Sequence, residues 1–248
     1  MALRLKRNVR IFLAVVGVFM LIAMVESYLR SRKVGMIKID FVTNAENHFL
    51  DSLEIKRLLT ANGQDNLQGS VFRNVSIKAL ESRVKSNLFV AQCEIARNLR
   101  GDLWVKVIPS HPIARFLREG KPDFYIDSLG KVMPVSEKYS ARAMLITRED
   151  KYELPDFQKK DFNLLLLLRC IHRDKFLKAQ IAQIHIDQYG NLILYPQVGS
   201  QRIEFGKCYD LKDKLRRLRI FYQEILPRKG WNKYKKVSLK FSGQVVCE

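Results

Sequence analysis

The chain reads as an α+β protein carried behind a single N-terminal transmembrane helix, with a compact α+β module next and a β-rich domain holding two helices after it. Three observations predict this. An apolar run from Ile11 to Val25 lies between clusters of Lys and Arg; the hydrophobic period changes from two to helical and back between Gly35 and Pro109; and short alternating segments broken by turn residues fill the stretch from Ser110 to Glu248.

Arg4, Lys6, Arg7 and Arg10 precede the apolar run, and Arg30, Arg32 and Lys33 follow it. At ~1.5 Å per residue its ~15 uninterrupted residues cover ~22 Å of a hydrocarbon core ~30 Å thick. Extension from Val9 to Leu29 reaches a spanning length, with Arg10 and Glu26 near the two interfaces and Tyr28 anchoring one of them. Three readings compete: a cleaved signal peptide, an uncleaved anchor and a buried core helix. Ala23-Met24-Val25 and Val25-Glu26-Ser27 are poor cleavage sites, so the anchor is preferred. Lys and Arg counts on the two flanks barely differ. The short basic tail, residues 1–10, is expected in the cytoplasm, with the single pass at residues 11–29 and the bulk of the chain outside.

A 248-residue chain with 47% hydrophobic and 28% charged residues has room for two small folded domains after the anchor, and disorder is not indicated. The net charge of +19 draws it to anionic partners, whether lipid headgroups, acidic polymers, nucleic acid or an acidic protein. Cys93, Cys170, Cys208 and Cys247 show no C-x-x-C spacing and read as scattered small apolar residues, although an oxidising compartment leaves one pairing open.

After the anchor, Ile37, Ile39 and Phe41 alternate as a half-buried strand. Asp51 or Ser52 caps a helix from Leu53 to Ala61 that Asn62-Gly63 stops, and Ser76 opens a second helix to Lys85 with Glu81 near the capping region. Phe89, Ala91, Cys93 and Ile95 alternate, the turn from Asn98 to Asp102 reverses the chain, and Leu103 to Pro109 returns. This order, strand, helix, helix, strand, strand over residues 35–109, resembles a POTRA module.

In the second domain, residues 110–248, Ile113 to Leu117, Phe124 to Asp127 and Lys131 to Pro134 are strand candidates around the turn Ser128-Leu129-Gly130. A helix is expected from Pro155-Asp156 to Arg169 or Cys170. Ile184 and Ile186 should pair across Gln188-Tyr189-Gly190-Asn191 with Leu192 and Leu194. Asp210 caps a helix whose apolar side is Leu211, Leu215, Leu218, Tyr222 and Ile225. Lys212, Lys214, Arg216, Arg217 and Arg219 spread over its remaining faces, and Pro227 and Gly230 close it. The last segment alternates as Val237, Leu239 and Phe241 and reads as a terminal strand reaching Val246.

Catalysis finds little material. His48, His111, His172 and His185 are solitary, and there is no H-E-x-x-H, G-x-S-x-G or phosphate-cradling glycine loop. Asp123 and Asp127 form an imaginable acid pair, but a strand ending in a turn explains them more simply. No enzymatic activity, cofactor, metal or small-molecule substrate is expected. Nucleic-acid binding through the helix bearing Lys212 to Arg219 lacks aromatic platforms, zinc-finger spacing or a helix-turn-helix pattern.

Three strings carry a family resemblance. His111-Pro112-Ile113-Ala114-Arg115-Phe116, the segment Phe124 to Val132 and the closing Val237 to Val246 are similar to the P-x-A junction, the Y-x-D-x-x-G-x-V segment and the final V-x-L-R-[YF]-x-G-x-x-V strand of the FtsQ/DivIB cell-division proteins. The resemblance spans nearly the whole chain. It implies a noncatalytic divisome scaffold at the septum, linking early division proteins to the FtsB/FtsL pair and so to septal peptidoglycan synthesis. It places FtsK and septal recruitment at the POTRA region and FtsB at the terminal strand; the short tails leave little for a tail-borne role. Membrane lipids are met through the anchor.

Physically, an edge strand offers unpaired N–H and C=O groups that an added strand satisfies while alternate side chains fill pockets. Val237, Leu239, Lys240, Phe241, Gly243, Val245 and Val246 are the candidate partner-binding residues. Phe241 is the apolar anchor, Gly243 permits close approach or a bulge, and Lys235, Lys236 and Lys240 steer acidic groups. In the competing reading the strand is an interior sheet member with Phe241 in the core. A runner-up function is a membrane-tethered envelope-assembly or secretion adaptor using its POTRA module.

Overall fold

The computed structural model describes residues 7–42, 49–149, 155–157, 159 and 161–248. Its mixed α+β architecture agrees with the fold class read from the sequence, and it divides into two compact units, Met1–Ser110 and His111–Glu248.

Unit one begins with helix α1, Arg7–Ser31, whose 25 residues rise ~37 Å. The window Phe12–Leu29 is long and apolar enough to cross a membrane, and none of it is buried against protein. A core helix would bury its apolar face, so that reading falls. Strand β1, Ile37–Phe41, follows, then helices α2, Ser52–Leu59, and α3, Ile77–Lys85, and strands β2, Val90–Arg97, and β3, Leu103–Pro109. The caps lie where the sequence puts them: the Asp51 carboxylate accepts the Glu54 N–H at 2.6 Å and the Ser76 hydroxyl accepts the Ala79 N–H at 3.3 Å. Glu81 is not part of a capping box. It lies too far along α3, and its carboxylate accepts the Ile95 N–H at 2.8 Å, tying the helix to β2. The sheet order is β1-β3-β2, with β1 parallel to β3 and β2 antiparallel to it. Ile55, Leu59, Leu80, Val84, Val90, Cys93, Leu103, Val105 and Val107 fill the core between helices and sheet. Burial raises the Cys93 thiol to about 11, in keeping with its reading as a small apolar residue.

Unit two holds strands β4 Pro112–Phe116, β5 Phe124–Asp127, β6 Val132–Pro134, β7 Met144–Arg148, β8 Ile181–Ile186, β9 Leu192–Pro196, β10 Arg202–Gly206, β11 Lys236–Ser238 and β12 Val246–Cys247. They form one nine-stranded sheet ordered β12-β11-β10-β9-β8-β7-β4-β5-β6. The expected hairpin is present, with Ile184 opposite Leu194 and Ile186 opposite Leu192. Strand β7 carries no clean alternation in the sequence, as befits a strand between two parallel neighbours. Strand β10 does alternate, with Ile203 and Phe205 buried between Arg202, Glu204 and Gly206, and the sequence reading leaves it out.

One local device closes three hairpins in the two units. Asn98, Asp127 and Asp187 each open a turn with their side-chain oxygen accepting two backbone N–H groups further on, at 2.7–3.0 Å. Three residues later Gly101, Gly130 and Gly190 take positive φ. Asp127 is therefore occupied by its turn, and Asp123 by Arg115 at 2.7 Å and the Arg118 N–H at 3.2 Å. The imagined acid pair is absorbed structurally.

Helix α4, Phe162–Arg173, starts later than its sequence pattern predicts. Pro155 and Asp156 instead lead a turn that folds back on buried Asp161, whose carboxylate accepts the Asp156 N–H at 2.8 Å and the Arg148 guanidinium at 2.9 Å. Asp161→Ala removes the buried carboxylate that accepts from both groups and should cost about 2 kcal/mol, lowering the thermal midpoint of the full chain by roughly 6 °C. A shift under about 2 °C would remove this pair from the account. A short helix α5, Lys175–Gln180, follows, capped by Asp174.

Helix α6, Leu211–Ile220, continues through a π-helical turn, Phe221–Ile225, into α7, Leu226–Lys229. Pro227 does not close the helix as expected. It lies inside α7, where its ring would meet the Gln223 carbonyl one turn back, and the wider π turn at that carbonyl relieves the clash. Asp210 stands at the N-terminus of α6 with φ 50° and no side-chain cap bond. Lys214 and Arg217, expected among the solvated basic residues of this helix, are buried.

Candidate functional site

The closing segment, read as one strand from Val237 to Val246, is a hairpin of two short strands. The chain leaves β11 after Ser238, turns through Phe241, Ser242 and Gly243, and returns as β12. Val237 faces Cys247 and Ser238 faces Val246, and β11 runs parallel to β10 on its other side. The single-strand reading fails because Gly243 takes φ 71°, a conformation that reverses the chain.

The hairpin separates the seven candidates. Val237 and Leu239 are 0% exposed and pack among Ile203, Phe205, Leu218 and Phe221. Their side chains hold the sheet and offer nothing to a partner. Phe241 is 52% exposed at the turn, so the interior reading of that ring is set aside. Open space surrounds Gly243, so no part of this chain needs a glycine there, and its positive φ serves the turn. Val245 and Val246 are half-buried, Val245 packing on the core. The Lys240 ammonium already meets Glu204 at 2.9 Å, and Lys236 meets Glu204 at 3.5 Å and Glu248 at 3.6 Å.

The sheet therefore ends in β12 on the side of the closing segment and in β6 on the other, and β12 is the edge the closing segment presents. Lys236 and Glu248 exchange both backbone hydrogen bonds, at 2.9 and 3.1 Å. Antiparallel ladders alternate, so the next hydrogen-bonded pair is Ser238 with Val246, and the N–H and C=O of Val245 and Cys247 point away from β11.

Sequence reasoning missed what holds this edge. The Arg217 guanidinium donates to the Phe241 carbonyl at 2.8 Å, to the Leu239 carbonyl at 3.5 Å and to the Gln244 carbonyl, while its Nε donates to Asp213 at 2.8 Å. One buried cation thus takes up the carbonyls of a turn too tight to pair them itself. Lys214 does similar work one turn earlier, donating to the Phe205 and Lys207 carbonyls at 3.0 and 2.9 Å. The available signal was position: 214 and 217 flank Leu215 and Leu218 on the apolar side of α6, a poor place for a solvated charge.

Burial pushes the Glu204 carboxyl up, but Lys240 and Lys236 pull it further down, to below its ordinary value. Arg216, and after it Arg217, hold the Asp213 carboxyl low against the smaller opposing effect of desolvation. Depressed folded-state values stabilise the fold fully above the unfolded value, ~4.3 for Glu, and that stability disappears as pH falls through the folded value. The thermal midpoint should therefore drop as the pH is lowered below ~4.3, and Glu204→Gln should flatten the profile. An unchanged profile in that variant would contradict this role.

His185 sits between the Thr147 hydroxyl at 2.9 Å and the Glu149 carboxylate at 3.0 Å. Gln183 donates to Thr147 and the Gln188 N–H takes the second oxygen of Glu149, so this is a network pinning β7 to β8. Burial lowers His172, followed by the charge of Lys178. His48 lies outside the described residues. Among the described residues no group of three or more His, Cys, Asp or Glu is placed to hold a metal. All four cysteines are free, Cys170 exposed and Cys208 raised to about 12 by burial.

A strand-helix-helix-strand-strand module behind an apolar helix, followed by a β-rich unit, has the layout of a POTRA-bearing protein. The family models for the POTRA-like domain and for FtsQ/DivIB, C-terminal related, match residues 32–108 and 111–248 respectively. The chain belongs to the FtsQ/DivIB family, whose members and whose POTRA domains are typically noncatalytic and act through protein contacts in cell division. The comparison with curated proteins returned no match.

Proposed function

We propose that the chain is a noncatalytic division scaffold, held by α1 as a single-pass anchor in the bacterial inner membrane, with its N-terminus cytoplasmic and both folded units outside at the septum. Its POTRA-like module takes FtsK and septal recruitment, and the β12 edge accepts a strand of FtsB. In this way it connects early division proteins to the FtsB/FtsL complex and so to septal peptidoglycan synthesis. The observation that carries the reading is the open backbone edge of β12 beside the exposed Phe241, inside the unit matched by the family. Strand addition supplies main-chain hydrogen bonds for affinity, and Phe241 supplies an apolar contact near the charged Lys235 and Lys240.

Depletion in the host, with rescue by an N-terminal fluorescent fusion, tests the role. Filamentous or chained cells rescued by a fusion at midcell are expected; normal division with uniform envelope fluorescence would favour the envelope-assembly adaptor. Phe241→Ala, checked for folding by circular dichroism, should weaken FtsB binding by ~2 kcal/mol, about thirtyfold. A folded variant of undiminished affinity sinks the anchor role of this ring.

A further inference from the structure

We infer that the cleft between the end of α1 and the β2–β3 turn binds the headgroup of an anionic lipid. The inference rests on the reading of α1 as a membrane span. The apolar window of α1 ends at Leu29, and Arg32 lies three residues, ~4.5 Å, beyond it. From there no slack separates helix and module. The Arg32 guanidinium donates to the Leu99 carbonyl at 2.6 Å, the Phe72 N–H to the Arg32 carbonyl at 3.0 Å, and the Gly35 N–H to the Gly101 carbonyl at 2.7 Å. A Cβ on Gly101 would stand 2.9 Å from the Lys33 carbonyl oxygen, so the contact is as close as glycine permits. The turn is thereby fixed at the depth where the apolar window gives way to headgroups.

The chemistry of that spot suits the depth. A cleft of about 540 Å³ is lined by Leu29, Arg32, Lys38, Arg97, Arg100 and Trp104, among others. Four cations there outweigh one carboxylate, Asp102, which is occupied by the Met36 N–H and the Asn98 amide, each at 3.0 Å. Leu99 is 78% exposed at the turn tip and Trp104 is 48% exposed, with the Lys38 ammonium 5.1 Å from its ring centre. A phosphodiester meets the guanidinium groups, Trp104 lies at the interface and Leu99 enters the acyl boundary. Inorganic phosphate shares the charge but has no chains for Leu99 and Trp104, which is why the lipid is the occupant chosen.

The test uses the full chain carrying Trp231→Phe, leaving Trp104 as the sole tryptophan, in nanodiscs of phosphatidylcholine with rising phosphatidylglycerol. Acrylamide, a neutral quencher, reads the exposure of Trp104. Quenching should fall as phosphatidylglycerol rises. A variant with Lys38→Gln, Arg97→Gln and Arg100→Gln should need about tenfold more anionic lipid or more for the same protection, since each basic side chain at an anionic surface multiplies affinity ~5-fold. Inorganic phosphate added to neutral discs should change nothing. Failure of the chain to enter neutral discs removes the span reading and the inference with it. Entry with equal quenching at all compositions, protection retained in the triple variant, or protection by phosphate alone each overturns the lipid site while leaving the span reading intact.

Discussion

Arg217→Ala should unfasten the last hairpin, costing about 3–5 kcal/mol and abolishing partner binding even though Phe241 is retained. The buried guanidinium is the donor to the carbonyls of Leu239, Phe241 and Gln244, and α6 presents it with Asp213 as its counter-charge. Removing it leaves the buried Leu239 carbonyl without that donor, unties the Phe241 and Gln244 carbonyls from the helix, and leaves Asp213 with Arg216. Lysine in its place would be no conservative exchange, because a point charge cannot span several carbonyls as the planar fork does. Thermal unfolding and partner titration of Arg217→Ala and Arg217→Lys check this. A fully stable, binding-competent alanine variant would show that the hairpin stands without its clamp.

Cys247→Pro should weaken strand addition while leaving the hairpin folded. The Cys247 N–H points to the open side, so proline removes a donor that only a new strand would use, and an edge strand tolerates it. Val246→Pro differs by one residue and should disrupt the hairpin, because that N–H pairs with Ser238. The contrast between neighbours separates loss of the edge from loss of the fold. Equal binding losses with equal destabilisation in the two variants would contradict the assigned alternation. Stability is read by thermal unfolding, and an affinity fall of about tenfold or more is expected for Cys247→Pro.

The sequence made the POTRA-like unit almost fully legible, because its signals are local: Asp51 and Ser76 as caps, Asn98 opening a turn that Gly101 completes, and period-two apolar strands. In the second unit the Ile184–Leu194 hairpin was equally local. What escaped depends on contacts distant in sequence. Strand β7 is placed by parallel neighbours on either side, and the burial of Lys214 and Arg217 depends on carbonyls up to 27 residues away. The site was half legible. Its location on the closing segment could be argued from pattern, but alternation puts Phe241 on the face of Val237 and Leu239, and only the turn that follows Leu239 takes the ring outward. Gly243, weighed for a bulge, instead turns the chain and moves the open edge from the Val237 stretch to Val246 and Cys247.

The most direct measurement is amide hydrogen exchange at single-residue resolution on the full chain, alone and bound to FtsB. The account predicts that the Cys247 amide exchanges freely alone and slows by about a hundredfold in the complex, as a new interstrand hydrogen bond forms, while the Val246 amide is protected in both. A complex in which Cys247 exchanges as fast as in the free chain would contradict strand addition at this edge.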